Sequence, residues 1–135
     1  MEYRIDWNGG AEDVLLTTSG DADVDALDAM VEELLVDPRF REGLKILLDH
    51  RKCRWIALET KDVCRRAELQ QSKRDRIGYQ QIAFVVDAPE EYGMARMLGA
   101  FLDGQVRFVA HAFTSIDEAR AWLTATPTGP VNVAP

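Results

Sequence analysis

The sequence predicts an α/β domain with a mixed, mostly parallel sheet of about five strands, opened by a hairpin and covered by about four helices. Three observations carry that expectation. Short β-rich runs alternate with helical patterns along the chain, from "LKILLD" through "YQQIAFVVD" to "QVRFVAHAF". Strand–helix alternation of that kind builds parallel crossovers. The first two runs, by contrast, are separated only by a turn signal, Asn8-Gly9-Gly10, which reads as a hairpin.

The elements follow in order. "YRIDW" (3–7) alternates apolar and polar residues as a half-buried strand does, and "DVLLTTS" (13–19) returns against it. "DADVDALDAMVEELLVDP" puts Val24, Leu27, Met30, Val31, Leu34 and Leu35 on one helical stripe. Asp21 or Asp23 suits its N-cap, and Pro38 marks its end. "LKILLD" (44–49) reads as a buried strand ending at Asp49, followed by a loop "HRKCRWIALE" with an apolar anchor at 55–58. A helix is expected from Thr60 to Arg76, stopped by Gly78. Its apolar stripe is thin, Val63 and Ala67, which predicts a surface helix showing a basic face. "YQQIAFVVD" (79–87) is a central strand, and Asp87 is expected to cap the next helix with Pro89 in its first turn. In "PEEYGMARMLGAFL", Met94, Met97, Leu98 and Phe101 share a face, as core residues would. After the strand "QVRFVAHAF" (105–113), Ser115 and Glu118 form a capping box for a helix that buries Ile116, Ala119, Trp122 and Leu123. The domain therefore spans 1–124, with 125–135 as a loose tail.

Composition narrows the function. A net charge of −7 argues against general binding to nucleic-acid phosphates, so no nucleic-acid partner is expected. No apolar run is long enough to span a membrane, and "MEYRIDWNGG" lacks a signal-peptide pattern. With only Cys53 and Cys64, a reduced, cytoplasmic setting is the simpler expectation. Charge is uneven along the chain. Residues 21–37 hold seven acids and no base, whereas 51–76 hold nine of the sixteen Lys and Arg. Two solvated faces explain this plainly; docking between subunits or with a partner explains it more sharply.

Candidate chemistry is sparse. Asp49 and Asp87 each close an expected strand, where open α/β sheets bind ligands, so they form a candidate carboxylate pair for metal or acid/base work. Helix capping and turn formation explain the same two residues without chemistry. His50 and Cys53, with Cys64 and His111, have donor types suited to zinc but lack the close cysteine pair such sites use. No phosphate-binding or dinucleotide glycine motif appears, and neither cysteine has a nucleophile signature. The receiver-domain reading of "ILLDHR" fails for want of an early acidic pair and a late lysine. Gly93 interrupts its helix at a cost of roughly 1 kcal/mol relative to Ala, which suggests close approach of a loop or ligand. Tyr92 and Arg96, four apart, can meet each other or Asp49.

Taken together, "DPRFREGLKILLDHR", "YGMARM" and "DEARAWL" resemble the SpoIIAA-like proteins, which share the STAS fold of anti-sigma-factor antagonists and are related to Sec14-type lipid-binding domains. The resemblance spans residues 2–123, loosely between 52 and 78. It implies a small sheet with helices on it, no cofactor, and often a homodimer. Anti-sigma antagonists place a phosphorylatable Ser or Thr just after the strand matching 44–49, where this chain has "DHRKCRW". That departure puts phosphorylation-controlled partner switching in doubt. The expectation is a non-enzymatic protein-interaction module, with Asp49, His50, Asp87, Tyr92, Gly93 and Arg96 as the candidate ligand or partner site. Its alternatives are a Sec14-like carrier of a small apolar or lipid ligand and, more remotely, a metal-dependent enzyme using Asp49 and Asp87. Trp7, Trp55 and Phe113 are the expected apolar contacts of a dimer.

Overall fold

A computed structural model describes residues 1–55 and 58–125. Five strands, β1 (Glu2–Trp7), β2 (Val14–Asp21), β3 (Lys45–Arg54), β4 (Gln81–Val85) and β5 (Val109–Phe113), form one sheet in the order 1-2-3-4-5. β1 and β2 pair antiparallel and every later pair is parallel, as the hairpin and the alternation require. The helices are α1 (Val24–Leu35), α2 (Thr60–Ser72), α3 (Arg74–Ile77), α4 (Pro89–Leu102) and α5 (Ile116–Ala125).

Because the parallel strands advance in one direction, right-handed crossovers deliver α1, α2 and α4 to the same face. Leu16, Ile46, Leu48 and Phe84 pack there against Leu27, Met30 and Leu34 of α1. Val63 and Ala67 of α2 meet Leu98 and Leu102 of α4 beside them. α5 alone covers the reverse face, seating Ala119 and Leu123 on Leu47, Ala83 and Val85. Among the described residues strand order never reverses, so the sheet has no switch-point crevice of the kind that holds ligands in doubly wound folds.

Several local expectations hold. Asp23 is the α1 N-cap, its carboxylate accepting from the Asp25 and Ala26 amides at 2.9 and 3.3 Å. Asn8 closes the first turn by accepting from Gly10 N–H at 3.1 Å. Ser115 accepts from Glu118 N–H at 3.2 Å at the start of α5.

Others do not. β3 continues past Asp49 to Arg54, because a bulge sits against Thr18: Thr17 pairs with Asp49 but Ser19 pairs with Lys52. The extra residue breaks alternation and brings His50, Cys53 and Trp55 all into the interior. The expected helix over 60–76 is two, interrupted at Lys73, where the backbone leaves helical geometry (φ −105°, ψ 12°). Hence there are five helices among the described residues, not four. Gly78 ends α3 at φ +67°, a backbone conformation that favours glycine. α2 has the expected thin stripe, Val63 and Ala67, under an exposed outer face, but Arg66 is buried on that stripe as well. Asp87 does not cap α4; Ala88 occupies the N-cap without a side-chain bond, and Pro89 begins the first turn. Phe101 is exposed rather than core. The 125–135 tail, apart from Ala125, and half of the 55–58 anchor lie outside the described residues.

The charge asymmetry is resolved within the chain. Lys73 bonds Asp28 and reaches Glu32 at 3.0 Å, Arg76 grips Glu32 at 2.8 and 3.0 Å, and Arg65 bonds Asp25. The acidic helix α1 and the basic segment face each other inside one subunit. They are therefore not the free complementary surfaces expected of a dimer. Trp55 is likewise withdrawn from any interface, being 1% exposed. Among the described residues no helix is long and apolar enough to cross a membrane.

Candidate functional site

The six candidate site residues do not converge. Asp49 and His50 are consecutive on β3, so their side chains leave opposite faces of the sheet. Asp49 points to the α5 side, where it binds its neighbour Arg51 bidentately at 2.9 Å to each carboxylate oxygen. Burial raises the Asp49 pKa, but the Arg51 hydrogen bonds outweigh it and hold the carboxyl below its usual value. Asp87 lies two residues beyond Val85, the partner of Asp49, and so shares this edge. Arg51 is held above the ordinary arginine value, first by its Asp49 hydrogen bond and further by the charges of Asp49, Asp87 and Asp117. The carboxylate pair is thus part of a cluster already carrying its own cation. Among the described residues no three His, Cys, Asp or Glu side chains gather as metal ligands.

His50 is inside the α1/α2/α4 layer, fully buried, with Nδ1 2.5 Å from Thr18 Oγ1. Burial, and secondly the nearby Arg66 charge, push its pKa well below the ordinary histidine value, so the ring is neutral. Cys53 is buried near it, and burial raises the thiol pKa, which suits packing and not nucleophilic attack.

Tyr92 and Arg96 are elsewhere again, on α4, lining an open groove along β5. Neither bonds Asp49 among the described residues. Gly93 has no close approach to explain it: a Cβ there would meet nothing within 4 Å.

That groove is an open depression between α4 and β5. Two continuous stretches, of about 600 and 370 Å³, share Gly99, Asp103 and Ala110. Ala95 and Gly99, one helical turn apart, keep the α4 wall low, and a Cβ at Gly99 would again meet open space. The other wall is β5, with no described strand beyond it. Val109 N–H donates to Gln80 O at 2.8 Å and Phe113 O accepts from Val86 N–H at 3.0 Å, so residues 109 and 113 bond inward to β4. Alternation then turns the backbone groups of Ala110 and Ala112 outward, toward the groove. Val109 is 47% exposed beside them.

Neither the protein-family models nor the curated proteins compared with this chain include a match. The groove escaped reading from sequence because it follows from strand order. Its only sequence signal was the small-residue spacing Ala95–Gly99 within an otherwise apolar helix.

Proposed function

We propose that this protein is a non-enzymatic, STAS-like protein-interaction module that docks through the β5–α4 edge, with a second copy of itself as the partner. The observation that carries the reading is the open β5 edge beside the low wall at Ala95 and Gly99. An unpaired edge strand is a template for strand addition. A two-fold axis at this edge would pair β5 antiparallel with its copy, each chain using the outward groups of Ala110 and Ala112. The sequence resemblance to SpoIIAA-like proteins supports the same class. Since the acidic and basic segments are paired within the subunit, backbone bonding and Val109 would supply the contact.

The carrier reading has less behind it. The apolar cavity between α1, α2 and the sheet holds about 50 Å³, whereas drug-sized ligands occupy roughly 300–1,000 Å³. An acyl chain does not fit there.

Sedimentation at micromolar concentration tests the proposal. A dimer nearly indifferent to salt is expected, and Ala112→Pro, which removes an outward N–H, should dissociate it while leaving the melting temperature within about 3 °C. Val109→Lys, placing a charge on the edge, should act likewise. A monomer in the unmodified chain, or a dimer unaffected by both substitutions, would overturn it.

A further inference from the structure

Arg66 is 6% exposed and, among the described residues, has neither a carboxylate partner nor an acceptor for its buried Nη1. Its guanidinium lies 5.3 Å from the Trp55 ring centre and 5.6 Å from that of Phe84. Ring faces offset part of a buried charge but accept no conventional hydrogen bond. Among the described residues, no surrounding polar group accepts from Nη1. Trp55 Nε1 and His50 Nε2 are also buried and unpartnered, in rings whose centres are 5.1 Å apart. Thr18 Oγ1 lies 2.5 Å from His50 Nδ1 and within 3.4 Å of the Asp49 carbonyl oxygen, to which it donates. Nothing in this cluster supplies negative charge.

Arg66 also forms part of the wall of the 50 Å³ cavity, together with Gln70 one turn along α2. Among the described residues, Gln70 Oε1 is buried without a partner. The remaining walls are apolar, among them Leu48, Ile82 and Phe108. A water needs about 10–15 Å³, so the space takes roughly three to five heavy atoms.

We propose that this cavity binds a small planar monocarboxylate, no larger than about acetate, with the Arg66 guanidinium as its anchor. The fork of a guanidinium matches a carboxylate in plane and spacing, which a spherical ion or a water cannot exploit. The apolar walls suit the methyl group. Rotation of the Gln70 amide presents its N–H to the carboxylate in place of the carbonyl oxygen. The unpaired buried cation, costly by itself, is then the feature that selects an anion.

Thermal melts of the full chain at pH 7 test this, comparing sodium acetate with sodium chloride at equal ionic strength. Acetate at tenfold excess over its Kd should raise Tm by about 4 °C or more relative to chloride. Arg66→Met, which fills the site with an apolar side chain, should melt higher than the unmodified chain without acetate and show no acetate response. Hexanoate, too long for the cavity, should leave the unmodified Tm unchanged. Should Arg66→Met not fold, line broadening of carbon-13-labelled acetate by the unmodified protein, reversed by unlabelled acetate but not by hexanoate, supports the site, and its absence counts against it. Equal melting in acetate and chloride, or an undiminished response in Arg66→Met, would overturn the proposal. So would a hexanoate effect as large as that of acetate.

Discussion

Arg65 and Arg66 are adjacent on α2 and live in opposite electrostatic worlds. Arg65 faces α1 and finds Asp25; further along the same side Lys73 and Arg76 find Asp28 and Glu32. These groups stay partly in water, where a cation is inexpensive and its partner adds little. Arg66, turned inward by one step of the helix, meets Trp55 and Phe84 and, among the described residues, pairs with no acid. The comparison separates two meanings of a basic segment. Its outer cations fasten one helix to another, whereas its inner cation carries an unanswered charge. Only the second asks for something from outside the chain.

The largest test of this contrast is Trp55→Ala. Trp55 is almost wholly buried and packs with Cys53, Leu58 and Met94 as well as Arg66. Truncating a buried tryptophan costs about 3–5 kcal/mol, read by urea denaturation. In an Arg66→Met background the cost should fall by about 0.5–2 kcal/mol, the size of the lost cation–π term. An equal cost in both backgrounds would mean that the ring supports packing alone and does nothing for the charge.

Much of the architecture was legible in local chemistry. Asn8-Gly9-Gly10 announced the hairpin, the stripe from Val24 to Leu35 announced α1, and Asp23 proved to be its cap. What escaped had non-local causes. β3 runs on beyond Asp49 because a bulge against Thr18 lets "HRKCR" stay paired while losing its alternation. Without that bulge His50 and Cys53 would point to opposite faces. Arg66 was set among solvated bases by its charge, although its spacing from Val63 and Ala67 put it on the apolar stripe. The candidate site was legible in residue type only. Asp49 and His50 looked like neighbours in one site because they are neighbours in sequence, and in a strand that places them on opposite sides of the sheet.

A second test uses pH to report on the interior alone. The His50 pKa is lowered in the folded protein, so below its ordinary value of about 6.5 the unfolded chain binds the extra proton. Stability is full above that pH and declines as pH falls through it, by at most about 1.4 kcal/mol per pH unit for one proton. His50 faces Thr18, Trp55, Phe84 and Arg66, none of which titrates in that window, and Cys53 nearby is raised away from it. Denaturant midpoints from pH 8 to 5.5 should therefore slope in the unmodified chain and flatten in His50→Gln. A slope that survives the substitution would assign the proton elsewhere.

The smallest effects belong to the outer seam, and they separate it from the interior by sign. Lys73 is 12% exposed and bridges Asp28 and Glu32, which are themselves more open to water. Replacing it with Met leaves two carboxylates without their shared cation, but solvent screens most of the consequence, so the loss is about 1 kcal/mol. The same cation-to-Met change at Arg66 should stabilise the chain, because there it removes a desolvated charge. Opposite signs for one chemical change on one strand-to-strand connection is the sharpest form of the comparison. Acidity adds an independent check. Glu32 is held at about 2, first by its hydrogen bond to Arg76 and then by that to Lys73. A lowered carboxyl pKa gives stability that is complete above the unfolded value, near 4.5, and disappears as pH falls toward about 2. Glu32→Gln should therefore flatten the decline between those two values, a window well below that of His50. Added salt should shrink the Lys73→Met effect and leave the gain at Arg66→Met nearly unchanged. If both respond alike to salt, Arg66 is more solvated than its burial implies, and the distinction between the two regions fails.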